Sequence, residues 1–104
     1  MNVLIKVDKD LLNKDDYLLY IETPFCGTCY FAKKILEEIE LKLNKEIFYE
    51  INASFHPDFM QEAKVESVPC LLIKENGEIK DRIYTFHSVP FMVKEVLSYP
   101  SLVV

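Results

Sequence analysis

The chain has 104 residues, half of them apolar, and a formal net charge of −5. This length is expected to make one domain over residues 1–104, hiding roughly 65% of its unfolded surface, enough for a core without metal or disulfide staples. The acidic balance and the scattered lysines exclude the concentrated basic face that a nucleic-acid partner requires.

The opening MNVLIKVDKD has an apolar run of only Val3, Leu4 and Ile5 before Lys6, which does not make a signal peptide. NVLIKV has strand-forming residues and some alternation and predicts a first strand; DKDLLNKDD is charged and short, a loop or one helical turn. YLLYIE, Tyr17 to Glu22, is a nearly continuous apolar and aromatic run of strand length, as expected of a central strand covered on both faces.

From Cys26 the period changes. Phe31, Ile35, Leu36, Ile39 and Leu43 recur at helical spacing, with Lys33, Lys34, Glu37, Glu38, Glu40 and Lys42 between them, which predicts an amphipathic helix of about four turns. Thr23 and Pro24 stand at its start, and Asn44 and Lys45 close it. EIFYEIN reads as the next strand, and HPDFMQEAK as a short helix opened by Pro57.

SVPCLLIK predicts a strand despite its proline, ENGE a turn in which Asn76 and Gly77 suit positive φ, and IKDRIYTF the returning strand. Ser88 to Tyr99 reads as a helix capped by Ser88, with Pro90 in its first turn. Strands alternating with helices imply an α/β fold, a mixed central sheet with helices on both faces and an antiparallel hairpin at one edge. A right-handed crossover through the long helix makes YLLYIE and EIFYEIN parallel neighbours.

No apolar run approaches the length that spans a bilayer, so no membrane partner is expected. Three cysteines, an odd number, argue against the disulfide framework of a small secreted domain. The chain is therefore expected in the cytoplasm, where a disulfide is usually transient and catalytic.

Cys26 and Cys29 fall between the central strand and the helix, where α/β sheets usually carry their chemistry. At i and i+3 on a first helical turn, two sulfurs come within disulfide reach. The free N–H groups and dipole of a helix N-terminus stabilise the Cys26 thiolate, while Cys29 lies a turn further in, shielded. Lowering a thiol pKa from about 8.5 to about 7 raises its ionised fraction at pH 7 about fifteenfold. Thiol–disulfide exchange uses such a thiolate to attack and a second thiol to resolve the mixed disulfide, roles that fit Cys26 and Cys29 in that order. Gly27 and Thr28 between them allow a tight turn and leave room for a substrate backbone. C-x-x-C also occurs in zinc sites, so at this level metal binding and an inert pair stay open.

A second feature, VESVPCLLIKENGE, decides among them. With Phe25, Cys26, Gly27, Thr28 and Cys29 in the first part, and Val68, Pro69, Leu71, Leu72, Ile73, Asn76, Gly77 and Glu78 in the second, the sequence resembles the thioredoxin family over most of its length. The resemblance implies a thioredoxin-like fold and a thiol–disulfide oxidoreductase that reduces protein disulfides. It needs no bound cofactor beyond the redox-active Cys26–Cys29 disulfide, binds no metal, works as a monomer and is recharged by an NADPH-dependent reductase. It also implies a cis Val68–Pro69 bond, with Val68 and Pro69, beside Phe25, Gly27 and Thr28, positioning the substrate chain.

The departures are specific. Phe25 replaces the family's usual tryptophan, Gly27-Thr28 its most familiar dipeptide Gly-Pro, and Tyr20 its buried aspartate. Glu22, on Tyr20's strand face by the period of two, is then the candidate proton acceptor for Cys29. Two rivals remain. A glutaredoxin-like, glutathione-dependent reductase usually carries a Gly-Gly pair that ENGEIKDRI lacks, and a non-enzymatic redox-sensing binding module would keep the fold alone. Cys70 is expected to be a small apolar residue in a strand, His56 and His87 surface histidines, and Lys33 and Lys34 solvated lysines.

Overall fold

The computed structural model describes residues 1–4 and 12–104. Its elements are β1 (Asn2–Val3), β2 (Tyr17–Glu22), α1 (Gly27–Leu43), β3 (Tyr49–Asn52), a 3-10 turn (Ala53–Phe55), α2 (Pro57–Glu62), β4 (Cys70–Glu75), β5 (Glu78–Ile83), α3 (Val89–Leu97) and α4 (Pro100–Val103). Of the expected first strand, Asn2 and Val3 are extended; residues 5–7 and the start of DKDLLNKDD lie outside the described residues.

One five-stranded mixed sheet has the order β1-β3-β2-β4-β5. β2 is central: it runs parallel to β3, with Tyr20 beside Glu50, and antiparallel to β4, with Ile21 beside Cys70. The parallel pairing across α1 is the one expected of a crossover connection. β4 and β5 form the hairpin, whose turn places Asn76 and Gly77 at φ 54° and 80°. That turn is tied down from β2's entry, where Asp16 Oδ1 accepts from the Asn76 amide at 3.0 Å and the Asp15 carbonyl from Gly77 at 3.0 Å.

The strand period divides the core. Leu18 and Tyr20 of β2 and Leu71 and Ile73 of β4 pack with Ala32, Leu36 and Ile39 of α1 and Met92 and Val96 of α3. On the other face, Tyr17, Leu19 and Ile21 pack with Ile51, Cys70 and Leu72, and Phe59 and Met60 of α2 lie against them. Helices therefore cover both faces, as the sequence implies.

Four expectations are corrected. Phe31 is no core residue: it is 68% exposed, because the buried stripe of α1 runs through Cys29, Ala32, Leu36, Ile39 and Glu40, one position on. Glu40 is not a solvated polar-face residue; its buried carboxylate takes the Met1 ammonium at 2.8 Å and the amides of Ile47 and Phe48 at 2.8 and 3.1 Å. Those two amides are thereby lost to a sheet ladder, and β3 begins at Tyr49 rather than at Glu46. The final helix stops at Leu97, and Pro100 opens a separate short turn of helix.

Candidate active site

The chain leaves β2 at Glu22 and turns through Pro24 and Phe25 into α1. Phe25 makes the sharp part of that turn: its φ is 64°, in the left-handed region, and its ring is fully exposed. The tight turn expected of Gly27 is therefore made one residue before the cysteines. A Cβ built on Gly27 meets nothing within 4 Å, so the space above the first helical turn is open.

Cys26 is the N-cap of α1. Its Sγ accepts the Cys29 amide at 3.2 Å and lies 3.4 Å from Thr28 Oγ1, so the sulfur sits among donors at the positive end of the helix. Cys26 and Cys29 are joined as a disulfide with Cα atoms 5.2 Å apart, inside the ordinary range. The pair is asymmetric: Cys26 is partly exposed, whereas Cys29 is 4% exposed and belongs to the core.

Val68 and Pro69 are brought to the same end of the sheet by β4, joined by a cis peptide bond. With Thr28, Phe31, Tyr84 and His87 they line an open groove of about 420 Å³ beside the helix N-terminus. Val68 is half-buried and Pro69 buried. Five of the site residues expected from sequence, Thr28 with Val68 and Pro69, and Cys26 with Cys29, thus converge on one end of the molecule, with Phe25 and Gly27 at its rim.

Beneath the cysteines, Tyr20 donates its hydroxyl to the Cys29 carbonyl at 2.6 Å. Burial drives its pKa far up, and the charges of Glu22 and Glu50 act in the same direction. Glu22, half-buried at the end of β2, is raised above the ordinary carboxylate range by burial first and by Glu50 second, with Lys33 opposing. Glu50, 4% exposed, is held by Lys33 of α1 at 3.1 Å, a charge contact without a well-directed hydrogen bond. Lys33 is therefore not simply solvated. Sequence reading missed Glu50; the signal was a charged residue alternating with Phe48 on the strand face that packs under α1.

Cys70 is wholly buried and free, and burial pushes its thiol up to about 12. His87 is exposed; His56 is half-buried, its Nε2 has no hydrogen-bond partner among the described residues, and burial lowers its pKa. Among the described residues, no group of three or more His, Cys, Asp or Glu side chains is placed to hold a metal ion, and no helix is long and apolar enough to cross a membrane.

Residues 5–90 match the family model described as Thioredoxin. The chain is 40% identical over 92 residues to the thioredoxin-like protein YusE of Bacillus subtilis, covering 88% of this chain and 87% of that one. Its fold superposes on oxidised mitochondrial thioredoxin 3 of Saccharomyces cerevisiae with a TM-score of 0.73 at 16% identity, over 94% and 93% of the two chains. With the thioredoxin NaTrxh of Nicotiana alata the TM-score is 0.75 at 16% identity, over 93% and 90%.

Proposed function

The chain belongs to the thioredoxin family and is a thiol–disulfide oxidoreductase with a Cys26–Cys29 redox centre; from that premise we propose that it reduces protein disulfides, Cys26 attacking and Cys29 resolving. In the dithiol form, the Cys26 thiolate attacks one sulfur of the substrate disulfide, and the other substrate sulfur leaves with the electron pair. A mixed disulfide remains. Cys29 loses its proton and attacks Cys26 Sγ, the second substrate sulfur departs as a thiolate, and the pair is left as the intramolecular disulfide.

The observation that carries this assignment of roles is the asymmetry of the two sulfurs. Cys26 caps the helix, is partly exposed and receives an N–H; Cys29 is buried. Nucleophile and resolver need those environments in that order. In this reading an extended substrate segment lies in the groove beside Val68 and Pro69, pairing with the Val68 backbone as an added strand, with Phe25, Gly27 and Thr28 at its edge.

Glu22 is the proposed acceptor for the Cys29 proton, supported by its place on Tyr20's face and its raised pKa, which brings it closer to working pH. A NADPH-dependent reductase is the proposed donor. The cytoplasm is the proposed setting, because an unpaired buried cysteine beside a transient disulfide suits a reducing compartment.

The test is a redox titration in dithiol/disulfide buffers, with free thiols trapped and counted by mass. Two labels lost together at one potential, mapped to Cys26 and Cys29, are expected, and Cys29→Ser is expected to accumulate a mixed disulfide on Cys26. A pair that never forms reversibly, or a Cys29→Ser variant that releases product at the wild-type rate, overturns the reading.

A further inference from the structure

Tyr20 is fully buried in the middle of the central strand, yet its hydroxyl reaches the first turn of α1. The ring packs against Phe86, edge-to-face with centroids 6.0 Å apart. Its hydroxyl is thus aimed at one acceptor, the carbonyl of Cys29, at the short distance of 2.6 Å. Two carboxylates act on this phenol, Glu22 on β2 and Glu50 on β3, and Lys33 of α1 pairs with Glu50. Between the two carboxylates the phenol stays neutral, a donor rather than a base.

We propose that Tyr20 is a positioning residue for the resolving step, its hydroxyl holding the Cys29 carbonyl so that Cys29 Sγ stays in reach of Cys26 when no bond joins them. This rests on dithiol exchange by the Cys26–Cys29 pair. In the oxidised protein the covalent link itself locates Cys29. In the mixed disulfide that link is absent, and Cys29 is placed by its packing in the core and by the first turn of the helix, whose N–H groups lack intrahelical partners. Tyr20 anchors it to the most buried strand of the sheet.

The step served is balanced within the protein and its substrate. The Cys29 thiol gives up its proton, its sulfur forms a bond to Cys26 Sγ, the bond from Cys26 to substrate breaks, and the substrate sulfur leaves with the electron pair. Intramolecular steps of this kind depend on the reacting atoms being held close and aligned. The first attack, by Cys26 on an outside disulfide, does not use Cys29 Sγ, the atom whose place Tyr20 is proposed to hold.

Tyr20→Phe keeps the ring and removes the tether. Tyr17→Phe is the control: Tyr17 is on the same strand but the opposite face, with its hydroxyl 3.5 Å from the Leu12 carbonyl. The probe is a chromogenic aromatic disulfide, first as substrate for Cys26 and then as the preformed mixed disulfide whose thiol release is timed. For Tyr20→Phe, release is expected to slow about tenfold with the first attack unchanged. The dithiol–disulfide equilibrium is expected to move about tenfold toward dithiol, about 30 mV. Tyr17→Phe is expected to change neither.

Release from Tyr20→Phe at the wild-type rate overturns the positioning role and leaves dithiol exchange standing. A wild-type protein that forms the mixed disulfide but never releases the thiol overturns the dithiol reading and the positioning role together. Should Tyr20→Phe not fold, the reduced wild-type protein decides by proton NMR. A Tyr20 hydroxyl protected from solvent exchange supports the tether, and one exchanging like a free phenol overturns it.

Discussion

Lys33 Nζ lies 3.1 Å from Glu50 Oε2, so a lysine of helix α1 reaches down to a carboxylate that strand β3 buries beneath the helix. A buried carboxylate is tolerated only with a partner, and removing one member of such a pair strands the other. Lys33→Met is therefore expected to cost about 2 kcal/mol, less than for a fully buried pair because the lysine is partly in water. Adding Glu50→Gln is expected to restore much of the loss. Urea unfolding checks this, and a double variant no more stable than Lys33→Met shows that the stranded charge is not the cause.

Glu22 sets a dependence on pH with a definite sign. Its folded-state pKa is raised above 4.5, by burial and then by Glu50. The folded state therefore holds its proton to higher pH than the unfolded chain, and Glu22's contribution to stability is present below pH 4.5 and lost as pH rises through the folded value. Glu22→Gln is expected to remove that loss, giving a higher urea midpoint than wild type at pH 7 and a similar one at pH 4. The same variant is expected to slow resolution of the mixed disulfide while leaving the first attack alone. A midpoint at pH 7 that does not rise refutes the stability half.

Phe25 holds a left-handed backbone that suits glycine, while exposing its ring beside Cys26. Phe25→Gly is expected to stabilise the fold by about 1 kcal/mol, since the steric cost of φ 64° disappears at little loss of packing. It is expected to raise KM for a protein disulfide and to leave reaction with a small aromatic disulfide unchanged. Thermal melts and the two assays are separate readouts. A KM that stays put would mean that the ring does not meet substrate.

Cys70 has neither access nor ionisation. Buried completely, with its thiol pushed up to about 12, it is expected to resist alkylation in the native reduced protein while Cys26 reacts, and to label only after denaturation. Cys70→Ala is expected to leave turnover intact and to cost about 1 kcal/mol for the vacated volume. Rapid native labelling at Cys70, found by peptide mass mapping, contradicts this.

The central strand, the long helix and the hairpin are legible in the sequence because each carries a local signal: an unbroken apolar run at Tyr17–Glu22, a change of period at Cys26, and Asn76-Gly77 between two strands. The position of the cysteines between strand and helix is legible for the same reason. Glu40 and Glu50 are not, since periodicity assigns a charge to water unless a remote partner is known. Their partners are the Met1 ammonium and the amides of Ile47 and Phe48 for one, and Lys33 for the other. The shorter β3 follows from that unseen use of two amides. Phe25 hides its backbone because the residue types that usually announce a left-handed turn are glycine and asparagine. Phe31 misleads because a large apolar side chain one step off the buried stripe looks the same in a one-dimensional pattern.

Among the described residues, β5 lies at a margin of the sheet, paired on one side to β4. Its sequence, EIKDRI, has four charged residues of both signs among six. A second chain approaching that margin would have to strip water from ammonium, guanidinium and carboxylate groups before its backbone could pair, so the strand discourages the sheet-to-sheet growth by which β proteins aggregate. Under the proposed function, backbone pairing with a substrate falls instead to Val68 and Pro69, just ahead of β4 and beside the groove, and crowding of like molecules does not compete for it.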